Sequence, residues 1–226
     1  MTQPFMTEQL SREIPVEPGQ TTLLFIDVQN YCAHRQGGEY KDLAPDEFER
    51  RLGYYFHRLE TVAVPNMQRL QAGCRQAGIE VMCTTIENLT KDGRDRSLDY
   101  KISNLGVPRG AWDGKVIDAI APAEDEIWLP KTSSSVFMST NIDYVLRNLG
   151  TRYLVVGGLL TDQCVESAVR DACDLGYLVT LVTDACATMS QARHDNTLTA
   201  IKGYCRQRTT DEFLAEIAGK QIAAAQ

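Results

Sequence analysis

Three side chains in this sequence stand where an apolar run gives way to a turn. Asp27 follows Thr22-Leu23-Leu24-Phe25-Ile26, and Lys131 follows Glu126-Ile127-Trp128-Leu129-Pro130. Cys164 lies a few residues beyond Leu154-Val155-Val156-Gly157-Gly158. An acid, an amine and a thiol brought together are what acyl transfer through a thioester requires. An unperturbed thiol loses its proton near pH ~8.5 and a carboxyl near ~4, so Asp27 alone is a weak base for the task. Lys131 and the start of a helix are expected to bring the thiol pKa down before transfer becomes easy. Taken singly, each residue has a plainer reading. Asp27 could be a helix cap or a surface acid, and a free cysteine is among the most buried residue types.

The elements that must hold these residues follow from apolar patterning. Leu154 to Gly158 reads as a buried strand, Leu159 to Gln163 as a tight turn, and the segment carrying Val165, Ala168, Val169 and Ala172 as an amphipathic helix. Cys164 then falls in the first turn of that helix, beside unpaired N–H groups and the positive end of its dipole. Further strands are expected at 22–26, 80–85, 126–129, 177–183 and 204–208, with Asp184 closing the fifth. Helices are expected over 46–58, from Pro65 to Gly78, over 115–120, from Thr140 to Gly150, over 191–203 and from Thr210 to Ala218. The alternation implies right-handed crossovers and a three-layer α/β/α sandwich on a six-stranded, mainly parallel sheet. Binding crevices in such sheets lie outside the carboxyl ends of the strands, where all three residues stand. The polar stretch 88–109 is long for a connection and is expected to form a wall or lid of the site, or else a solvated loop.

With 226 residues the chain suits one sizeable domain, read as 21–220, preceded by an irregular arm over 1–20. A net charge of -7 argues against general nucleic-acid or anionic-membrane binding. The seven cysteines are widely spaced and contain no C-x-x-C, unlike a secreted disulfide framework or a zinc finger. No basic start with an apolar block is present, and no segment is apolar enough to span a bilayer, so a cytoplasmic location is expected.

Phe25-Ile26-Asp27-Val28-Gln29-Asn30, Leu129-Pro130-Lys131 and Gly158-Leu159-Leu160-Thr161-Asp162-Gln163-Cys164-Val165 together resemble the three motifs of the isochorismatase-like cysteine hydrolases, in order, across about residues 20 to 220. The resemblance implies the isochorismatase-like hydrolase fold and a homodimer or homotetramer. It implies Cys164 as nucleophile, Asp27 as proton shuttle and Lys131 as electrostatic partner. It also implies a cis peptide bond between Leu159 and Leu160, with the backbone N–H groups of Leu160 and Cys164 facing an oxyanion.

Departures from the family narrow the substrate. Nicotinamidase-like members carry a D-x-H metal motif where this chain reads Thr85-Ile86-Glu87, and His34, His57 and His194 read as surface residues. No metal and no cofactor are expected. Members that cleave isochorismate lack the nucleophilic cysteine, so C–N hydrolysis is preferred here. Val107 to Asp113 and Leu129 to Phe137 resemble the ureide amidohydrolases, which act on ureidoacrylate, biuret or triuret. A small planar substrate of this kind needs matching polar groups: Asn30, Tyr31, Glu87, Arg94, Ser135 and Gln207 are the candidates, with Phe137 as an apolar wall. Other readings are an N-carbamoyl amino acid or nicotinamidase-like amidase, a thiol-transfer protein, and a non-catalytic scaffold of the same fold.

Overall fold

Thr21–Ile26 is buried along its whole length, an apolar run with no polar face, as a strand covered on both sides must be. It forms β1 of a six-stranded sheet whose other strands are β2 (Glu80–Ile86), β3 (Ile127–Lys131), β4 (Tyr153–Leu159), β5 (Leu178–Ala187) and β6 (Arg206–Arg208). The computed structural model describes residues 11–38 and 40–224. Residues 1–10 of the expected arm therefore lie outside the described residues. The strand order is β3-β2-β1-β4-β5-β6, and every pairing is parallel. Pro130 sits in β3 at the sheet's edge, where its missing N–H leaves no ladder bond unmade.

The helices are α1 (Asn30–Ala33), α2 (Pro45–Arg58), α3 (Val64–Gln76), α4 (Leu98–Ile102), α5 (Val136–Ser139), α6 (Ile142–Asn148), α7 (Glu166–Asp174), α8 (Gln191–Ala200) and α9 (Thr210–Ala224). Side chains alternate across the sheet with period two. Leu23, Phe25, Val81, Cys83 and Val155 pack with Leu52, Phe56, Met67, Leu70 and Phe213 of α2, α3 and α9. Leu24, Ile26, Met82, Leu154 and Val156 pack with Ile142, Leu146, Val165, Ala168 and Val169 of α6, α7 and the turn before it. These are the three expected layers. Among the described residues no helix is long and apolar enough to cross a membrane.

Three boundaries differ from the sequence pattern. Pro65 does not begin a separate helix: α2 runs into α3 through a π-helical stretch, Leu59–Ala63, whose wider winding accommodates the proline ring inside the helix. Residues 115–120 form only a single 3₁₀ turn, Asp118–Ile120, in place of the expected helix. Lys115 O accepts from Asn30 N and Ile117 N donates to Val28 O, so this backbone is satisfied by the chain leaving β1. Finally, β5 passes through Asp184 and continues to Ala187, pairing Gly158 with Cys186 and Leu159 with Ala187 after a register shift. Asp184 instead accepts from the N–H and hydroxyl of Thr210, both at 2.8 Å, where α9 begins.

Gly158 is required by close approach. A Cβ on it would lie 2.2 Å from Ile26 O, and its φ of +133° is a conformation that L side chains rarely adopt. Gly78, also at positive φ (+69°), has open space around the same position. Gly158→Ala is therefore expected to cost at least about 3 kcal/mol in denaturant unfolding, and Gly78→Ala about 1 kcal/mol. Equal losses at the two positions would contradict this account.

Candidate active site

Asp27, Lys131 and Cys164 meet at the carboxyl edge of the sheet. Asp27 leaves β1 with a positive φ of 54°, a conformation that aspartate tolerates better than most residues. Lys131 closes β3, which is not beside β1: β2 lies between them, with Ile86 in register with Lys131. Two strand spacings, about 10 Å, separate the backbones, so a short side chain could not span the gap. Lysine spans it. Its Nζ lies 2.9 Å from Asp27 Oδ2 and donates to Cys164 Sγ at 3.4 Å, to Ser133 O at 2.7 Å and to Tyr100 Oη at 3.2 Å. Cys164 lies in a π-helical turn, Thr161–Val165, that opens α7, and the Leu159–Leu160 peptide bond before it is cis.

All three groups are buried. Burial holds the Asp27 carboxyl above its ordinary pKa, although the Lys131 charge opposes this. Burial also works against the Lys131 ammonium, but the neighbouring Asp27, Cys164 and Tyr100 outweigh it and keep the amine charged. For Cys164, burial first and the Asp27 charge second push the thiol up to about 12, while Lys131 and Tyr100 pull it back. The expectation of a thiol lowered at rest is thus reversed. A helix start in water favours thiolate; a dry pocket already holding one carboxylate does not.

Neither carboxylate oxygen of Asp27 receives a hydrogen bond of good geometry among the described residues. The Lys131 N–H bonds go elsewhere, and the 2.9 Å contact is ionic. A buried acceptor with open lone pairs beside a thiol is positioned to take its proton.

A cavity of about 520 Å³ opens above these groups, lined by Asp27, Tyr31, Tyr100, Leu160, Gln163 and Cys164 among others. Of the residues expected to contact substrate, Tyr31 lines it. Asn30 donates to Trp112 O at 2.9 Å, and Glu87 accepts from Gly110 N at 3.2 Å, so both pin the surrounding turns. Ser135 caps α5 and bonds Asp171, Phe137 packs on Tyr177, and Gln207 donates to Leu198 O. Arg94 is exposed and pairs with Asp92. These six serve local structure outside the cavity lining, and the expectation that they contact substrate is corrected accordingly. Gln29 is a further buried structural residue: it exchanges bonds with Ile86 N and O and so fastens the end of β2.

The stretch 88–109 forms a wall. Asp95 accepts from the N–H groups of Leu89 and Thr90, Arg96 donates to Gly93 O and Leu105 O, and Ser97 N donates to Thr132 O. Ile86, Tyr100 and Val107 form a small apolar cluster beneath it. Sequence reasoning missed Tyr100, Gln163, Met189 and Arg193 in the lining. Tyr100 had a signal, as the one aromatic residue between Asn88 and Arg109. Arg193, bonded through Nε to Asp162, had none.

A parallel six-stranded sheet with an acid, an ammonium and a thiol at one edge defines an α/β enzyme of the cysteine-hydrolase type. Residues 21–212 match the isochorismatase domain, and the chain belongs to the isochorismatase family of hydrolases. It is 30% identical over 188 residues to the ureidoacrylate amidohydrolase RutB of Rhizobium rhizogenes, covering 76% of this chain and 72% of that one. With the RutB of Caulobacter segnis it shares 33% over 180 residues, covering 76% and 74%. In fold it is similar to a cysteine hydrolase from Pseudomonas syringae pv. phaseolicola, with TM-score 0.78, 24% identity and 92% and 96% of the chains covered. An N-carbamoylsarcosine amidase from Thermoplasma acidophilum superposes with TM-score 0.66 at 23% identity, covering 85% and 98%.

His194, read from sequence as a surface residue, is buried against the nucleophile turn. An arginine can only donate, so Arg58 Nη2 donates a hydrogen bond to Nε2 at 3.1 Å, and Nδ1–H donates to Thr161 Oγ1 at 3.0 Å. Burial and then the Arg58 charge lower its pKa to about 4. The unfolded chain's histidine takes a proton from about pH 6.5 downward while the folded one resists, so stability falls as pH drops from 6.5 to 4. His194→Gln should remove this component. Its melting temperature should fall by a few degrees less than that of the native chain between pH 7 and pH 4.5; parallel curves would refute the assignment.

Proposed function

We propose that this hydrolase is a cysteine-dependent amidohydrolase that cleaves a C–N bond of a small linear ureide or carbamoyl compound through a thioester. One observation carries the reading: a buried ammonium stands 2.9 Å from a carboxylate and 3.4 Å from a thiol at the floor of a cavity of small-molecule size. The ureidoacrylate amidohydrolases to which the chain is similar support the substrate class.

At rest the centre holds one carboxylate, one ammonium and one neutral thiol. As the Cys164 sulfur attacks the substrate carbonyl carbon, its proton passes to Asp27, whose raised pKa makes it a stronger base than an exposed aspartate. The oxyanion that forms is placed between the N–H groups of Leu160 and Cys164, both residues of the cavity lining. Collapse breaks the C–N bond, and Asp27 returns the proton to the leaving nitrogen. Water then adds to the thioester with Asp27 again accepting a proton; collapse breaks the C–S bond, releases the acid product, and Asp27 returns the proton to the sulfur. Throughout, the centre keeps a single negative charge, held by Asp27 at rest and in the thioester and by the substrate oxygen in each tetrahedral intermediate. Assembly as a homodimer or homotetramer belongs to the same proposal.

Ammonia release is to be measured on biuret, triuret, ureidoacrylate, N-carbamoyl amino acids and nicotinamide. One or more of the ureides should be turned over, nicotinamide should not, and Cys164→Ser should lose at least about 10³-fold of the rate with an unchanged melting temperature. Full activity in Cys164→Ser would exclude the thioester, and turnover of nicotinamide alone would exclude the ureide class. The acid limb of kcat/KM should lie above the ordinary carboxylate range, because activity needs Asp27 ionised and burial makes it protonate at higher pH. A limb at or below pH 4 would exclude Asp27 as the base.

A further inference from the structure

We propose that Tyr100 is a fourth member of the catalytic centre, its hydroxyl donating a hydrogen bond to the Cys164 sulfur and stabilising the thiolate as it forms. The inference rests on Cys164 being the nucleophile and is independent of which carbonyl compound it attacks.

Tyr100 Oη stands 3.8 Å from Cys164 Sγ, within hydrogen-bonding range for sulfur, and 3.2 Å from Lys131 Nζ. The direction of each bond follows from the donors. An ammonium has protons and no lone pair, so Lys131 donates to the tyrosine oxygen. The hydroxyl proton is therefore directed away from the lysine, and the sulfur is its neighbour on the other side. Asp27, an acceptor with open lone pairs, takes the S–H proton, leaving the sulfur lone pairs to Tyr100 and Lys131. The hydroxyl does not ionise in this role, since burial first and the Cys164 charge second hold it far above its ordinary pKa.

The ring is held for this purpose. Tyr100 is buried against Ile86 and Val107, with its face toward Lys131 Nζ, 5.7 Å from the ring centroid. Its backbone N–H donates to Ser97 Oγ at 3.2 Å, and Ser97 N donates to Thr132 O at 2.9 Å, one residue beyond Lys131. The segment carrying the hydroxyl is thus tied to the strand carrying the ammonium. A hydrogen bond to a charged sulfur is stronger than one to a neutral thiol, so the contact strengthens as the thiolate develops. The titratable groups facing this point are Asp27 just after β1, Tyr31 and Cys32 on α1, Tyr40 in the loop beyond it, Lys131 from β3, Asp99 on α4 itself, and Arg193 across the cavity.

Tyr100→Phe removes one oxygen and keeps the ring. The test is the rate of Cys164 alkylation by iodoacetamide from pH 6 to 10, read on the Cys164 peptide by mass, since Cys32 and Cys173 are also partly accessible. With the native thiol pushed up to about 12, the whole range lies below its titration, so a rise of about one unit in the variant should slow Cys164 alkylation about tenfold throughout. With a ureide that the native chain turns over, kcat should fall by a similar factor with KM little changed. An unchanged rate overturns the proposal, as does faster alkylation, which marks a loosened pocket and so a packing role. If the native Cys164 itself fails to react, the nucleophile assignment falls and this inference with it. Failure of every ureide alongside the slowed alkylation overturns the substrate reading and upholds the role of Tyr100.

Discussion

The Lys131 ammonium and the Asp27 carboxylate meet at 2.9 Å with the lysine wholly removed from water. Taking either charge alone into such a site would cost several kcal/mol, and the pair persists because each answers the other. One ammonium can answer one anion. A second ionisable group beside them, the Cys164 thiol, therefore stays protonated unless the carboxyl takes up its proton. Burial pushes the Asp27 and Cys164 pKa values upward although a cation stands against each of them, and for Cys164 the Asp27 charge adds to the effect. In the proposed mechanism the charge is relocated within a fixed total, which calls for neither a standing thiolate nor a strong external base.

The sheet delivers that constraint. Because β2 separates β1 from β3, the lysine must extend across it to reach Asp27, and its length matches the span. The third partner arrives by close approach of backbone: Gly158 lies so near Ile26 that any side chain there would strike the β1 carbonyl. Its absence lets β4 run flush beside β1 and deliver the nucleophile turn next to Asp27. The buried hydrogen bonds from Arg58 through His194 to Thr161 then fix the start of that turn. The polar core thus extends behind Asp27 and Cys164 and reaches α2, on the sheet face opposite α7.

The layers and the three chemical residues were legible in the sequence because both are local signals. A strand buried on two faces reads as an apolar run; Asp27 directly follows one and Cys164 follows another after a short turn, while Lys131 closes the partly exposed edge strand β3. What failed to read depended on distant partners. His194 looks like a surface residue on a helix of weak amphipathicity until the fold places Arg58 and Thr161 on either side of it. Residues 115–120 have a helical pattern, but the chain leaving β1 satisfies their backbone first. The thiol pKa was misjudged for the same reason: a helix start is visible in sequence, whereas the desolvation that overrides it is a property of the assembled pocket.

The polar candidates for substrate contact show where such reading ends. Asn30, Glu87, Ser135 and Gln207 were credible because small ureides need donors and acceptors, yet backbone groups of neighbouring turns claim most of their polar atoms. Polar residues near strand ends first satisfy the turns that shape the pocket, and only what remains can meet a ligand. The polar groups that line the cavity come from segments far apart in sequence: Tyr31 after β1, Tyr100 on the long stretch after β2, Gln163 beside Cys164, and Arg193 on α8. The floor of the cavity is set by strands whose register cannot shift without exchanging their buried faces. Its walls are loops and helix starts that tolerate change. Hydrolytic chemistry is therefore a property of the sheet, and the choice of substrate a property of the connections, which is why the first can be read from three short motifs and the second cannot.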